Sequence, residues 1–365
     1  MSLPDLIQEA DRQFTICNAC RYCEGYCAFF RAIETRWDFS KGDVFYLAHL
    51  CHDCRACYYA CMYAPPHEFA INIPQITGNV RIASYQRWSW PRLLARCFTD
   101  RRIGIALAAI TAAVVVLLSF ILVRPDVMLS QHLGPGAFYR IIPYLAMVIP
   151  GLALFCYGIG VWVRGGARFW SETSSVLRRP GGLKALAKAV SEALGLQYLR
   201  GGGPGCYYPK ERPSAVRRVY HSFTFWGFLS CFTATILAAI YQDFFHWLPP
   251  YSLTSAPVIF GSVGGVALII GTGGLIWFKL KSKPEPAAAG ASTLDYVFLA
   301  TLALTALTGL LTLIFRATPA LGSMLTLHLA LVAALFITAP YGKFVHFVYR
   351  LLALIRYQTE QIQAQ

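Results

Sequence analysis

From residue 101 onward the chain alternates long apolar segments, uncharged apart from Lys343 near the end of the last one, with more polar segments. Six of the apolar segments are about 20 residues or longer, the length that an α-helix needs to cross a hydrocarbon layer of ~30 Å. They lie at residues 103–123, 141–163, 221–241, 256–278, 296–315 and 325–349. The pattern predicts a mostly α fold in which a six-helix transmembrane bundle, residues 101–349, follows an N-terminal head, residues 1–100.

Composition and charge agree with a membrane protein. Of the 365 residues, 56% are hydrophobic and only 14% are charged, a balance that excludes a disordered chain and does not suit a soluble one. The net charge of +14 falls largely on the loop 164–220, where eleven Lys or Arg accompany three Glu, whereas the head is nearly balanced. This distribution favours a topology signal over nucleic-acid binding.

The same loop predicts the orientation in the membrane. Loops rich in Lys and Arg stay on the cytoplasmic side. With six spans, the loop 164–220, both termini and a short tail, residues 350–365, are then expected in the cytoplasm. The first hundred residues lack the basic start and apolar core of a signal peptide, so we expect the head to remain where it is made.

Eight cysteines of the head form two runs with the same spacing, Cys-x2-Cys-x2-Cys-x3-Cys, at residues 17–27 and 51–61. In bacterial two-cluster ferredoxins the first three thiolates of such a run hold one [4Fe-4S] cluster and the fourth reaches the other. The spacing therefore predicts a crossed partition. The first thiol set is Cys17, Cys20, Cys23 and Cys61, and the second is Cys51, Cys54, Cys57 and Cys27.

Two other uses of the cysteines were weighed. A structural zinc site has no need for a third Cys at the same interval, and disulfides do not suit a cytoplasmic head. The Pro that usually follows the fourth Cys in ferredoxins is replaced here by Ala28 and Met62. Just beyond the second run, two prolines precede His67 and Glu68, which we interpret as part of a docking or proton-handling surface.

Three histidines fall within the predicted spans, where ionisable side chains are costly and tend to be functional. His221 begins span three and His346 lies near the inner end of span six, so both imidazoles are expected at the cytoplasmic level. We interpret them as the two axial ligands of a haem b. The alternative is that they cap span ends or form hydrogen bonds between helices.

His328 is expected at the outer level. It precedes His346 by 18 residues, which is five helical turns or about 27 Å along one continuous helix. It is a candidate for a second haem, with His246 or His132 as partner, or for a quinone site. One haem is the favoured count and two stay open.

The two cysteine runs and the segment Tyr-Ala-Pro-Pro-His-Glu-Phe-Ala-Ile-Asn at residues 63–72 resemble the tricarballylate utilisation protein B (TcuB or CitB) family over nearly the whole chain. The resemblance implies a protein of the bacterial inner membrane with two [4Fe-4S] clusters and haem b, which reoxidises an FAD-dependent tricarballylate dehydrogenase. The helical part is similar to the b-type cytochrome subunits of respiratory nitrate reductases. Their second-site His is expected near Cys231 and is missing here, which favours one haem.

The predicted function is electron transfer from the flavin of that dehydrogenase, through two clusters and haem b, to membrane quinone. No Gly-x-Gly-x-x-Gly fingerprint follows a predicted strand, so the flavin belongs to a separate partner and this chain transforms no organic substrate itself. One alternative is a quinone-linked subunit of another flavoprotein or heterodisulfide-reductase-like complex. Another is a membrane redox sensor or transporter, although the spans lack the paired carboxylates of a coupled transporter.

Overall fold

The structure is a computed structural model that describes residues 2–98, 101–174, 181–200, 203, 205–207, 209–283, 285–288 and 291–364. Residues 175–180, which include two arginines of the predicted cytoplasmic loop, therefore lie outside the described residues.

The head is built from short helices that place the cysteines at their ends. The first helix begins with a capping box, in which Ser2 accepts from the Asp5 amide and the Asp5 carboxylate accepts from the Ser2 amide. Ser40 caps the third helix in a similar way, by accepting from the Asp43 amide. The helices are α1 Leu3–Cys20, α2 Ala28–Ile33, α3 Lys41–Leu50, α4 Ala56–Tyr59, α5 Ile73–Trp88 and α6 Arg92–Cys97.

The remainder of the chain is also largely helical. Its elements are α7 Arg101–Leu122, α8 Pro125–Met128, α9 Ala137–Ile141, α10 Tyr144–Thr173, α11 Gly182–Leu194, a 3-10 turn Gln197–Arg200, β1 Cys206–Tyr207, β2 Pro213–Ser214, α12 Val216–Asp243, α13 Ala256–Lys281, α14 Ala291–Ile314, α15 Leu321–Thr338, a 3-10 turn Lys343–Val345 and α16 His346–Gln363. The two strands pair antiparallel, with Cys206 opposite Ser214.

Within the described residues, six helices are long and apolar enough to cross a membrane: α7, α10, α12, α13, α14 and α15. Large apolar side chains cover their outer surfaces, such as Ile121, which is 67% exposed, and Val163, which is 66% exposed. A soluble protein rarely exposes apolar area on this scale, whereas lipid would cover it. The prediction of a six-helix membrane bundle is confirmed.

The prediction for span six is wrong at its inner end. α15 ends at Thr338 rather than continuing to residue 349. Pro340 follows, and because it lacks an amide hydrogen it cannot continue the helical ladder. The chain turns through Gly342, and His346 opens a separate helix, α16. His328 and His346 therefore lie in different helices, and the distance of about 27 Å predicted for one continuous helix does not apply to them.

Two long helices join the bundle to the head. α10 has 30 residues, which corresponds to about 45 Å, so it extends well beyond a hydrocarbon layer. Its Phe169 packs edge-on against Trp88 of the head, and Tyr349 of α16 lies 5.1 Å from the same indole, ring centre to ring centre. The segment 350–365 is thus largely the helix α16, which packs against α3 and α11.

Helices α12 and α13 approach each other closely through glycines. A Cβ added to Gly271 would lie 2.5 Å from the Thr224 amide nitrogen, and one added to Gly264 would lie 2.8 Å from the Cys231 nitrogen. Small residues of this kind allow membrane helices to pack backbone against backbone. The contact fixes α12, and with it His221, against α13.

Candidate redox sites

The first thiol set surrounds one pocket in the head. Cys17 and Cys20 lie in the last turn of α1, Cys23 follows in the next loop, and Cys61 comes from the second run. The pocket is lined otherwise by Ile16, Tyr22, Phe30, Met62, Tyr63 and Ile71. Cys20 and Met62 are exposed, so this pocket lies at the protein surface.

The second thiol set surrounds another pocket. Cys51 ends α3, Cys54 and Cys57 flank the start of α4, and Cys27 caps α2 from the first run. The structure thus groups the eight thiols four and four, with one cysteine crossing over in each direction. This is the partition that the spacing predicts, and the iron ligation itself stays a prediction.

Each run makes the same unusual turn after its second cysteine. Arg21 follows Cys20 with a φ of 53°, and Arg55 follows Cys54 with a φ of 65°. Asp53 also has a positive φ, 51°. Non-glycine residues seldom adopt this left-handed conformation, and it tends to be kept where a site needs the turn. Here the turn directs successive thiols toward one pocket.

The buried, closely spaced thiols are suited to holding a positively charged metal group. Burial, together with the neighbouring thiols of Cys61, Cys20 and Cys27, raises the pKa of Cys23 to about 12. Four thiolates in such a pocket need bound positive charge to offset their repulsion.

His221 and His346 face each other across α12 and α16. Their ring centres lie 6.5 Å apart with the ring planes at 88°. The Nδ1 atom of His346 is 2.7 Å from the Lys343 carbonyl oxygen, which leaves Nε2 as the unprotonated nitrogen, the arrangement usual for a metal-ligating imidazole. The Nδ1 atom of His221 is buried and has no hydrogen-bond partner among the described residues.

Both imidazoles line a large cavity between the head and the bundle. Its lining carries seven cationic side chains but only two acidic ones, Asp53 and Asp295. Asp295 is bridged by Lys279 and by Lys343, whose Nζ lies 3.0 Å from the carboxylate. The cavity is therefore electropositive and suits a ligand that carries carboxylates.

The three cavities adjoin one another in a row. Phe30 lines both thiol pockets. His52, Arg55 and Pro74 line both the second pocket and the electropositive cavity. A continuous path thus leads from the exposed first pocket, through the second, to the two imidazoles.

His328 lies apart from this row of cavities. The Nδ1 atom of His328 lies 3.2 Å from the Thr308 hydroxyl and 3.1 Å from the Thr305 carbonyl oxygen, so this imidazole links α15 to α14. Within the described residues no hydrogen bond or ring contact joins it to His132 or His246. A second haem or a quinone site at His328 therefore stays a prediction.

His67 and Glu68 lie beside the first pocket. The His67 ring contacts Tyr63, which lines that pocket, at 5.1 Å between ring centres. Its Nδ1 accepts from the Phe69 amide at 3.1 Å, and Glu68 is exposed. The structure therefore places both residues at the surface next to the first thiol set.

Three arginines near the second thiol set were not predicted from the sequence. Arg81, Arg217 and Arg350 all donate to backbone carbonyl oxygens in or beside the segment 51–53. For two of these arginines, the sequence contains a feature that could have indicated a position near the site. Arg217 precedes His221 by four residues and Arg350 follows His346 by four, so each is one helical turn from a predicted ligand.

These features define a helical multi-pass membrane protein with a ferredoxin-like, cysteine-rich head. Comparison with known proteins identifies it further. The citrate utilization protein B family matches residues 98–365, and the Fer4-like domain of the same family matches residues 10–87. The chain belongs to the citrate utilization protein B family, which confirms the resemblance seen in its motifs.

One relative is the citrate utilization protein B of Escherichia coli, which is 41% identical over 354 residues, covering 97% of this chain and 92% of the relative. No solved structure matches the chain.

Proposed function

We propose that this protein carries electrons from a soluble flavoprotein dehydrogenase into the membrane as part of citrate or tricarballylate utilisation. The family and its Fer4-like domain support the electron-transfer role, and the name of the Escherichia coli relative supports the metabolic setting. The observation that carries the proposal is the row of three adjoining cavities. It begins at the surface with one thiol set and ends at a pair of imidazoles.

The first thiol set and the second thiol set each hold one [4Fe-4S] cluster in this proposal. Iron–sulfur clusters and haem accept and release electrons singly, so they can connect a two-electron flavin donor to the membrane. The thiolates fix each cluster in place. Apolar side chains such as Ile16 and Phe30 line the first pocket beside its thiols.

His221 and His346 hold a haem b in this proposal. Their ring centres lie 6.5 Å apart, so a nitrogen of each ring would be able to reach a metal ion held between them. The electropositive cavity beside the two rings would receive the haem carboxylates, with a cation such as Lys343 as their partner.

The dehydrogenase docks at the first pocket in this proposal. Cys20 is exposed there, together with the apolar side chains of Tyr22 and Met62, which are 58% and 62% exposed. His67 and Glu68 extend this surface. An FAD-dependent tricarballylate dehydrogenase is the expected donor, and it carries out the bond-changing chemistry on the acid. The same surface would serve another flavoprotein in the alternative assignment.

Quinone is the proposed acceptor, and the bacterial inner membrane is the proposed location. The Lys and Arg of the loop 164–220 favour a cytoplasmic head and cytoplasmic termini. This orientation would place both thiol pockets on the side where a soluble dehydrogenase works. A reporter enzyme that works only in the cytoplasm should then be active when it is fused to the C-terminus. Activity of a fused reporter that works only in the periplasm would contradict this orientation.

The cofactor content and the donor can be tested on the full-length protein in detergent. We expect about eight iron atoms and eight acid-labile sulfides per chain in the clusters, and one haem b. Tightly bound zinc without sulfide would overturn the proposal. Reduced tricarballylate dehydrogenase should reduce the haem, and added quinone should reoxidise it, with both changes followed in the haem absorption spectrum. Reduction by a different flavoprotein alone would reject the donor while leaving the path in place.

A further inference from the structure

We propose that the junction of the head and the bundle carries a binding site for an anionic phospholipid. This junction site consists of Trp90, Arg92, Leu93, Arg96 and Arg164. The two apolar side chains would lie among the acyl chains, and the three guanidinium groups would bind the phosphate. Such a site depends on the six-helix membrane bundle and on neither the clusters nor the haem.

Trp90 lies at the level where the lipid-facing surface of the bundle ends. Its carbonyl oxygen accepts from the hydroxyl of Tyr341, just beyond the head-side end of α15, at 2.9 Å. The guanidinium carbon of Arg164 lies 5.6 Å from the centre of the Trp90 ring, within the range of a cation–π contact. Arg164 directly follows Val163, one of the exposed apolar side chains of α10. Both membrane helices therefore place Trp90 at the head-side boundary of the hydrocarbon layer.

The apolar side chains of the junction site are exposed. Trp90 is 47% exposed and Leu93 is 72% exposed, whereas Ala95 in the same short helix is buried. α6 ends at Cys97 and the first membrane helix, α7, begins at Arg101, so α6 must lie close to the membrane. Trp is enriched at membrane boundaries, because its ring is apolar and its N–H is polar. The two side chains are therefore placed to enter the edge of the acyl layer.

The polar part of the junction site is basic. Arg92 and Arg96 are exposed and lie one turn apart in α6, so their side chains share a face of the helix. The chain has no Asp or Glu between Glu68 and Asp100. Within the part of the chain that the structure describes, neither these two arginines nor Arg164 forms an ion pair. The three cations are thus available to an anion from outside the chain.

A phospholipid matches both parts of the junction site. A guanidinium group can donate two parallel hydrogen bonds to phosphate oxygens, and basic residues beside a membrane helix attract anionic lipids. The acyl chains of the same molecule would cover Trp90 and Leu93. Free phosphate would cover the arginines alone, and a soluble protein would have to enter the hydrocarbon layer to cover Leu93.

The bound lipid would hold the head to the bundle. Arg92 and Arg96 belong to the last helix of the head, whereas Arg164 belongs to a membrane helix. A phosphate between them would join the two parts at the point where Trp90 already contacts Arg164. A ligand that binds only the folded protein stabilises it, so the lipid should raise the temperature of unfolding.

The site can be tested on the full-length protein in nanodiscs of phosphatidylcholine with or without phosphatidylglycerol. In the wild type, phosphatidylglycerol should raise the midpoint of thermal unfolding and should stay bound in native mass spectra recorded after transfer to detergent. The double variant Arg92→Gln/Arg96→Gln should weaken this binding by about tenfold or more and lose the thermal gain, because two of the three phosphate ligands are removed. Arg164→Gln should weaken it less.

The double variant Lys184→Gln/Lys188→Gln is the matched control, because it removes two exposed cations that are also one turn apart, on α11. It should bind phosphatidylglycerol like the wild type. An equal loss in this control would show general attraction to the charged surface and overturn the site. Equal retention of phosphatidylcholine by the wild type, or unchanged binding in the Arg92→Gln/Arg96→Gln variant, would overturn it too.

A second measurement does not depend on the folding of the arginine variants. Phosphatidylcholine brominated in its acyl chains quenches the fluorescence of tryptophans that contact lipid. The quenched fraction should fall in Trp90→Phe, whereas Trp37→Phe should leave the quenched emission unchanged, since Trp37 is 89% exposed on the head. The same quenched emission in wild type and Trp90→Phe would show that Trp90 does not reach the acyl layer and would overturn the proposed site.

Discussion

His221 and His346 meet with their rings nearly perpendicular and 6.5 Å apart, although His221 lies in a membrane helix and His346 opens the C-terminal helix α16, which packs against the head. The break after α15 makes this contact, because α16 starts in a new direction at His346 itself. The two residues therefore lie where the bundle meets the head, directly beside the electropositive cavity.

The first prediction concerns these two residues as haem ligands. Replacing either His221 or His346 by Ala should abolish the low-spin b-type spectrum, because one axial bond is lost. The thiol pockets are formed by other residues, so the cluster signals should persist. Optical and paramagnetic resonance spectra of the same purified sample measure both effects.

His328→Ala is the matched control for that prediction. Its imidazole bonds to Thr305 and Thr308 in the neighbouring helix, so the variant should keep the haem spectrum and lose only a little stability. If wild type contained two haems and this variant lost one of them, a second site would have to be assigned at His328. If the His221→Ala variant kept the low-spin haem spectrum, the assignment of His221 and His346 as the haem ligands would be wrong.

The second prediction concerns the crossed thiol sets. Cys17→Ser should impair the cluster of the first set and Cys51→Ser that of the second, so each variant should lose about half of its iron and sulfide. Cys61→Ser should then resemble Cys17→Ser rather than Cys51→Ser, although Cys61 belongs to the second run. Resonance spectra distinguish the two clusters.

Cys156→Ser serves as the control for the thiol variants, because Cys156 is exposed on α10 and lines neither thiol pocket. It should keep the full iron content. An uncrossed result, in which Cys61→Ser and Cys51→Ser remove the same cluster, would contradict the grouping of the thiols.

Local patterns were enough to predict much of this molecule. An apolar run of about 20 residues is long enough to cross the hydrocarbon layer as a helix, so the six apolar runs predicted the six membrane helices. The main error was the inner end of the last span. The spacing of the cysteines also predicts their arrangement, because thiols at three-residue intervals can surround a single site. The structure groups Cys17, Cys20 and Cys23 as that interval requires.

Contacts between distant segments could not be predicted from a single sequence. Arg81, Arg217 and Arg350 are far apart along the chain, and only the packing of α5, α12 and α16 brings them to the segment 51–53. The break at Pro340 was also missed, because the apolar pattern continues across it. A proline near the end of an apolar run is the signal that would have indicated it.

The third prediction tests the close contact of α12 and α13. In Gly271→Ala the new methyl group would meet the Thr224 backbone at 2.5 Å, so the helices must separate at a cost of about 1–3 kcal/mol. Haem should then be retained less well, since α12 carries His221. In Gly273→Ala the new methyl group meets no atom within 4 Å, so this control should behave like wild type. Haem content after mild heating measures the difference, and equal losses would contradict the close contact.

The fourth prediction concerns the ion pairs that hold α16 to the head. The Asp43 carboxylate lies 3.0 Å from Arg36 and 2.8 Å from Arg356, whose side chain is only 1% exposed. Asp43→Asn removes the negative charge and leaves Arg356 with less compensation, so we expect a loss of about 3 kcal/mol. Arg87→Gln breaks a more exposed pair with Glu172 and should cost less than about 1 kcal/mol.

The ion pairs of Asp43 with Arg36 and Arg356 also make the stability of the protein depend on pH. Burial would raise the pKa of Asp43, but the hydrogen bond from Ser40 and the charges of Arg36 and Arg356 outweigh it and lower that pKa below its ordinary value. A lowered pKa contributes stability above the unfolded value of about 4, and that stability is lost as the pH falls toward the folded value. Wild type should therefore lose its advantage over Asp43→Asn between about pH 4 and the lower folded pKa. Denaturation followed by the fluorescence of the head, where Trp88 is fully buried, measures this loss. A difference between the two proteins that stays constant down to pH 2 would show that the Asp43 carboxylate does not supply it.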